Sequence, residues 1–250
     1  MSLVFAEMIV AAAQCCSPVL ADLLENTMSA VPDASSRIAH GQAIDALKHI
    51  DARWRSLIEQ VGPCLHPVTA AQDPFQALVK AVAYQQLHAK AGDAMVMRLR
   101  ALFAGSGFPE PQQLAELEDQ RLRGCGFSAS KCRAIKAIAA ARVSGTVPDV
   151  AEAMLMGDEE LIARLVQLPG VGRWTVEMML IYGLGRLDVM PASDFGVSEG
   201  YRRLYGLDLK PTPKAMTTLA ERFAPFRTVA AWYLWRVPAD FAAGDRDPEV

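Results

Sequence analysis

The chain has 250 residues, 52% of them apolar, and a formal net charge of −3, so it can bury a substantial core and carries no general attraction for polyanions. Any nucleic-acid footprint must therefore come from a local patch. The five cysteines (Cys15, Cys16, Cys64, Cys125 and Cys132) form no Cys-x-x-Cys pair, which argues against a cysteine-built zinc or iron–sulfur site and for reduced thiols.

Alternating β patterns are scarce while Ala, Leu, Met and Arg abound, which points to an all-α fold. Residues 1–40 read as a tail with a short helix and a linker. Their apolar beginning lacks basic residues at its start and is interrupted by Glu7, unlike a signal peptide or a membrane span. A helix is expected to start near Gly41, carry Trp54, Leu57 and Ile58, and stop before Gly62-Pro63. Asp73-Pro74 opens the next, a capping acid followed by proline at the first helical position, with Phe75, Leu78, Val79 and Val82 on its buried face. The polar stretch Tyr84-Gln85-Gln86-Leu87-His88 breaks the pattern before Ala91 to Phe103 resumes it.

A short helix with Leu114, Leu117 and Leu122 ends at Gly124-Cys125-Gly126, and Ser128 caps another that reaches Val143. Gln120 to Pro148 contains no acid but holds Arg121, Arg123, Lys131, Arg133, Lys136 and Arg142. Taken alone, such a run is more often a solvated helix face than a binding site.

The most informative stretch follows. Asp158-Glu159-Glu160 places acids in a first helical turn, and Leu161, Ile162, Leu165 and Val166 recur at helical spacing. Leu168-Pro169-Gly170-Val171-Gly172 interrupts, and the apolar period returns from Trp174 to Gly183. This is a helix, a glycine hairpin and a second helix. Glycines let the backbone come close to a neighbour, and free amides at a helix start suit a phosphate. Because this Gly-x-Gly follows a helix rather than a strand, a dinucleotide fold is not indicated. Asp194 opens a further helix with Val197, Tyr201, Leu204 and Tyr205. Pro225 is expected to start the last helix, through Trp232, Tyr233 and Trp235.

Leu168-Pro169-Gly170-Val171-Gly172-Arg173-Trp174-Thr175, followed by Pro191-Ala192-Ser193-Asp194-Phe195-Gly196-Val197, resembles the helix-hairpin-helix (HhH-GPD) superfamily of DNA glycosylases, and within it the 3-methyladenine DNA glycosylase II branch. Asp73-Pro74-Phe75, Gln85-Gln86-Leu87, the turn from Phe127 to Lys131 and Ala231 to Arg236 fit that branch in order. The resemblance implies an all-α fold of two helical subdomains with a lesion cleft between them and no N-terminal β domain. One subdomain would combine residues 41–82 and 186–240; the other would span 83–185 with its hairpin at 158–183. Residues 241–250 would be a tail.

The resemblance also implies roles. Asp194 is the catalytic carboxylate, since a fixed negative charge stabilises the positive charge that builds on deoxyribose as a base leaves and can orient or deprotonate the attacking water. Trp235, Trp174, Met178 and Tyr84 would wall the base pocket, where aromatic faces suit a cationic alkylated purine. Gln86, Leu87 and His88 would enter the duplex where the target nucleotide is extruded. Gly170, Val171, Gly172, Arg173, Thr175 and Lys131 would hold DNA, the hairpin residues through backbone amides. Backbone carbonyls of Gln167 and Pro169 would hold a structural Na+ or K+, with no other cofactor required.

Trp174 stands where bifunctional relatives carry a Schiff-base lysine, so the resemblance implies a monofunctional hydrolase that leaves an abasic site. Two departures stand out: Ser198-Glu199 where the family carries a basic pair, and Tyr84 where it carries glycine. The expected partner is double-stranded DNA with alkylated bases, bound by a monomer without membrane attachment. Its place would be the cytoplasm, at the bacterial nucleoid, or the nucleus of a eukaryote. The alternative is a catalytically weak or inactive reader of damaged DNA with the same fold.

Overall fold

The computed structural model describes residues 34–66, 71–87, 89–103 and 107–241. The expectations for the first 33 residues, for His88 and for the last nine residues of the tail lie outside them. In chain order the helices are α1 (Ala34–Lys48), α2 (Ala52–Val61), α3 (Pro74–Tyr84), α4 (Ala89–Ala101), α5 (Pro111–Glu116) and α6 (Asp119–Gly124). Then come α7 (Ala129–Val143), α8 (Val150–Leu155), α9 (Asp158–Leu165) and α10 (Arg173–Met178), which continues as a π-helical turn over Met179–Gly183. The last are α11 (Phe195–Tyr205), α12 (Pro213–Leu219) with a 3-10 turn over Ala220–Phe223, and α13 (Arg227–Leu234). No strand occurs among the described residues.

Two compact units divide the chain: Met1–Val68 together with Leu187–Val250, and Thr69–Arg186. In the first, α1 starts at Ala34 rather than Gly41 and ends at Lys48, because Asp51 begins a separate helix by accepting the Trp54 amide at 3.0 Å. Trp54 is the centre of this unit's core. Its ring lies edge-on to Phe223 at 5.0 Å, and its indole N–H donates to the Tyr205 hydroxyl at 3.0 Å. That hydroxyl in turn donates to Asp51 Oδ2 at 2.8 Å, so the polar tip of a buried tryptophan is satisfied through a chain ending on the cap of α2. Helix α13 begins at Arg227, two residues past Pro225, and is buried from Thr228 to Leu234.

The second unit begins ahead of α3 rather than at residue 83. Helix α3 is buried at Pro74, Phe75, Ala77, Leu78, Val79, Ala81, Val82, Ala83 and Tyr84, leaving only a narrow, partly exposed stripe at Gln76 and Lys80, and it packs against α4, α7, α10 and the π turn. A helix apolar over most of its circumference belongs near the middle of a unit. Asp73 caps it, accepting the Phe75 amide at 2.8 Å while its other oxygen meets Arg142 Nη2 at 3.1 Å. Opposite Ala77 stands Gly183, where a Cβ would lie 2.7 Å from the alanine methyl. The π turn that ends at Gly183 was not legible in the sequence, because Met179, Leu180 and Ile181 are all buried and leave no period to read.

Candidate active site

Asp194 is the N-cap of α11, with extended backbone (φ −71°, ψ 130°) and 6% exposure. Its Oδ1 accepts the Val197 amide at 3.0 Å and the Trp235 indole N–H at 2.9 Å. Two donors on one oxygen fix the plane of the carboxylate, as preorganised catalysis requires. Helix α13 holds this aspartate from both ends. Trp235, just past its last turn, supplies the indole. At its start, Arg227 grips Asp188 through Nε at 2.7 Å and Nη2 at 2.8 Å, and buried Thr228 takes the Val189 amide at 3.0 Å, which fixes the path of the chain into Asp194.

Two glycines allow α11 to approach α13. A Cβ at Gly200 would sit 1.9 Å from the Leu234 carbonyl oxygen, and one at Gly196 would sit 2.9 Å from Trp235 Cδ1 and 3.1 Å from Asp194 Oδ1. The Gly-x-x-x-Gly spacing on α11 was the available sign of this close approach. The sequence reading placed Trp235 in the base pocket. The structure shows its side chain 2% exposed with its N–H engaged by Asp194, so the contact it makes serves the carboxylate.

The hairpin lies in the second unit. Val171 turns inward: its side chain is buried and its amide donates to Leu168 O at 3.1 Å. Gly170 has a left-handed backbone (φ +76°), and a Cβ there would lie 2.7 Å from the Ala134 methyl, so its smallness serves packing on α7. Gly170 and Gly172 are both exposed, but at Gly172 a Cβ would meet nothing within 4 Å. The amides of Gly170, Gly172 and Arg173 reach no backbone acceptor among the described residues, and neither do the carbonyls of Gln167 and Pro169 find a backbone donor. The Arg173 side chain braces the motif itself, pairing with Glu159 of α9 and, at 2.9 Å, with buried Glu177. These carboxylates hold its guanidinium protonated well above the usual range.

Thr175 and Lys131, both expected at the DNA, also turn inward. Thr175 is 2% exposed, and its Oγ1 accepts from Gln85 Nε2 at 2.9 Å. Lys131 Nζ donates to the carbonyls of Ala83 at 2.8 Å and Gln85 at 2.9 Å, closing the end of α3, and burial lowers its pKa. Tyr84, placed in the pocket by the sequence reading, is 8% exposed: its ring lies where a Cβ on Gly92 would fall, and its hydroxyl donates to Asp93. Gln86, by contrast, stands exposed at the tip of a turn closed by the Leu87 amide on Tyr84 O at 3.2 Å. Its φ of 56° is left-handed, a conformation that costs a non-glycine residue about 1–2 kcal/mol. Trp174 is half-buried and Met178 buried on α10.

The model of the HhH-GPD superfamily base excision DNA repair proteins matches residues 79–225. DNA-3-methyladenine glycosylase 1 of Schizosaccharomyces pombe is 43% identical over 192 residues, 76% of this chain and 84% of that protein. The alkylbase DNA glycosidase-like protein mag2 of the same yeast is 35% identical over 77% of this chain and 91% of its own length. Among solved structures, the Schizosaccharomyces pombe 3-methyladenine DNA glycosylase in complex with abasic DNA superposes with a TM-score of 0.75 at 41% identity, covering 82% of this chain and all of that one. An exposed glycine hairpin, a capped and doubly bonded aspartate, and similarity that spans both place the chain in the HhH-GPD superfamily of base excision DNA repair proteins.

Proposed function

We propose that this chain is a monofunctional DNA glycosylase that hydrolyses the N-glycosidic bond of alkylated purines of the 3-methyladenine and 7-methylguanine type in double-stranded DNA, leaving an abasic site. The observation that carries the reading is the Asp194 carboxylate, buried and oriented by the Val197 amide and the Trp235 indole. As the bond between base and deoxyribose lengthens, positive charge gathers on the sugar, and a fixed carboxylate stabilises it without having to reorganise. The same group orients the water that attacks the sugar carbon and accepts its proton. An alkylated purine is already cationic, so it leaves readily, and Trp174 offers it an aromatic face.

Of the two units, one supplies the carboxylate. The other supplies exposed hairpin amides for a phosphate and Gln86 for the gap left in the base stack. A monovalent cation at the Gln167 and Pro169 carbonyls would reinforce the phosphate grip. Trp174 provides no amine, so the reaction ends at hydrolysis. Borohydride is therefore expected to trap no protein–DNA adduct; a trapped adduct would show that another amine attacks the sugar. Chromatography of bases freed from methylated duplex DNA tests the activity itself, and absence of 3-methyladenine and 7-methylguanine from the wild-type products would overturn the reading.

A further inference from the structure

The loop that presents Gln86 is fixed from three directions by the side chains of Tyr84, Lys131 and Gln85. On one side, the Tyr84 ring packs against Gly92 and its hydroxyl donates to Asp93, joining the end of α3 to α4 across the loop. Beneath it, Lys131 of α7 donates to the Ala83 and Gln85 carbonyls at 2.8 and 2.9 Å, an ammonium set on the acceptor end of α3. From the loop itself, the Gln85 side-chain amide reaches the hairpin and donates to the Gly170 carbonyl at 3.2 Å and to Thr175 Oγ1 at 2.9 Å. Gly170 is the hairpin's left-handed residue, and Thr175 lies in the first turn of α10. One glutamine side chain thus joins the turn bearing Gln86 to the hairpin loop, where the Gly170 and Gly172 amides have no backbone acceptor among the described residues.

We propose that Gln85, seated by Lys131, is a positioning residue that sets the separation between the Gln86 turn and the phosphate-gripping hairpin, so that gripping the strand and filling the stack occur in one fixed register. This rests on the function proposed above. The left-handed φ of Gln86 supports it, because a residue keeps that backbone only where its surroundings over-determine it. Without the tether, the hairpin still binds a strand, but Gln86 no longer meets the gap at a set distance. Removing Gln85 therefore acts on recognition of the extruded site and leaves general DNA binding in place.

The test uses the full chain and duplexes carrying a tetrahydrofuran abasic analogue beside a 2-aminopurine, whose fluorescence reports unstacking. Gln85→Glu keeps the size of the side chain and removes its amide donors; Thr175→Val removes one acceptor; Lys131→Met removes the ammonium. Each is expected to lower the preference for abasic-analogue duplex over undamaged duplex and the 2-aminopurine signal by roughly three- to tenfold, the scale of one or two hydrogen bonds. Affinity for undamaged duplex stays within twofold of wild type. Gln85→Ala combined with Thr175→Val is expected to do no more harm than Gln85→Ala alone, since both cut one link.

Unchanged preference in Gln85→Glu, or an equal loss of affinity for damaged and undamaged duplex, overturns the proposal; the second result would mean that Gln85 merely supports the hairpin. If the wild type itself fails to distinguish the abasic analogue from intact duplex, the failure lies in the functional reading underneath. Loss confined to the Gln85, Thr175 and Lys131 variants of a discriminating wild type supports the register.

Discussion

Trp235→Phe keeps an aromatic ring in the core of its unit but removes one of the two N–H groups on Asp194 Oδ1. A hydrogen bond to a charged group contributes about 1.5–3 kcal/mol. The excision rate is therefore expected to fall roughly 10- to 100-fold, visible as a lower single-turnover rate with little change in the affinity for DNA. A second residue-scale prediction concerns Glu199, one of the two departures from the family pattern. Its carboxylate meets Arg202 at 2.7 Å and Arg203 at 2.9 Å, which holds its pKa at about 2 against an ordinary 4.5. A pKa depressed on folding adds stability that is complete above 4.5 and is lost as the pH falls toward 2. Glu199→Gln should thus melt below wild type at neutral pH, and the gap should close across that acid window. A gap independent of pH would show that the ion pairs are not its source. These residues also show what the sequence could not disclose: Trp235 is expected from its motif to wall a base pocket, whereas its hydrogen bond to an aspartate 41 positions away follows from the tertiary fold.

At the scale of elements, the hairpin's two glycines do different work. Gly170 needs its left-handed backbone and its contact with Ala134, so Gly170→Ala is expected to destabilise the fold by about 1–3 kcal/mol, the usual cost of overpacking, and to lower the melting temperature. Gly172→Ala adds a methyl into open space at φ −93°. Its melting temperature should match wild type while its affinity for abasic-analogue duplex drops, because the methyl stands where a strand would approach. Equal melting and equal affinity in both variants would contradict this division. The glycine pattern announced the hairpin but not which glycine packs against a neighbouring helix. Helices with caps, α3 behind Asp73 and α11 behind Asp194, were legible because a cap and an apolar period agree. The π turn, the split between α1 and α2 and the start of α13 were not, since uniform burial or a local cap sets them.

The architecture of the whole molecule joins the two ends of the chain in one unit and the middle in the other. Composition sufficed to identify an all-helical protein, and the ordered motifs identified its family. The boundary between the units did not follow, because α3 reads as one more amphipathic helix until its burial on all but the Gln76 and Lys80 stripe is seen. A net charge of −3 offers no overall pull on DNA, so binding must rest on local groups. Several basic residues of the 120–148 run are already committed: Lys136 to Asp119 at 2.8 Å, Arg142 to Asp73 at 3.1 Å, and Lys131 to backbone carbonyls. No helix among the described residues is long and apolar enough to cross a membrane.

If Asp194 drives hydrolysis, a comparison of wild type with Asp194→Asn on methylated duplex DNA, scoring bases released and DNA bound, separates the two proteins by chemistry and not by binding. The wild type is expected to release 3-methyladenine, and the variant to release it roughly 10²- to 10⁴-fold more slowly with unchanged affinity for the duplex. Equal release by both proteins, or a wild type that binds the duplex and frees no base, would contradict that role for Asp194.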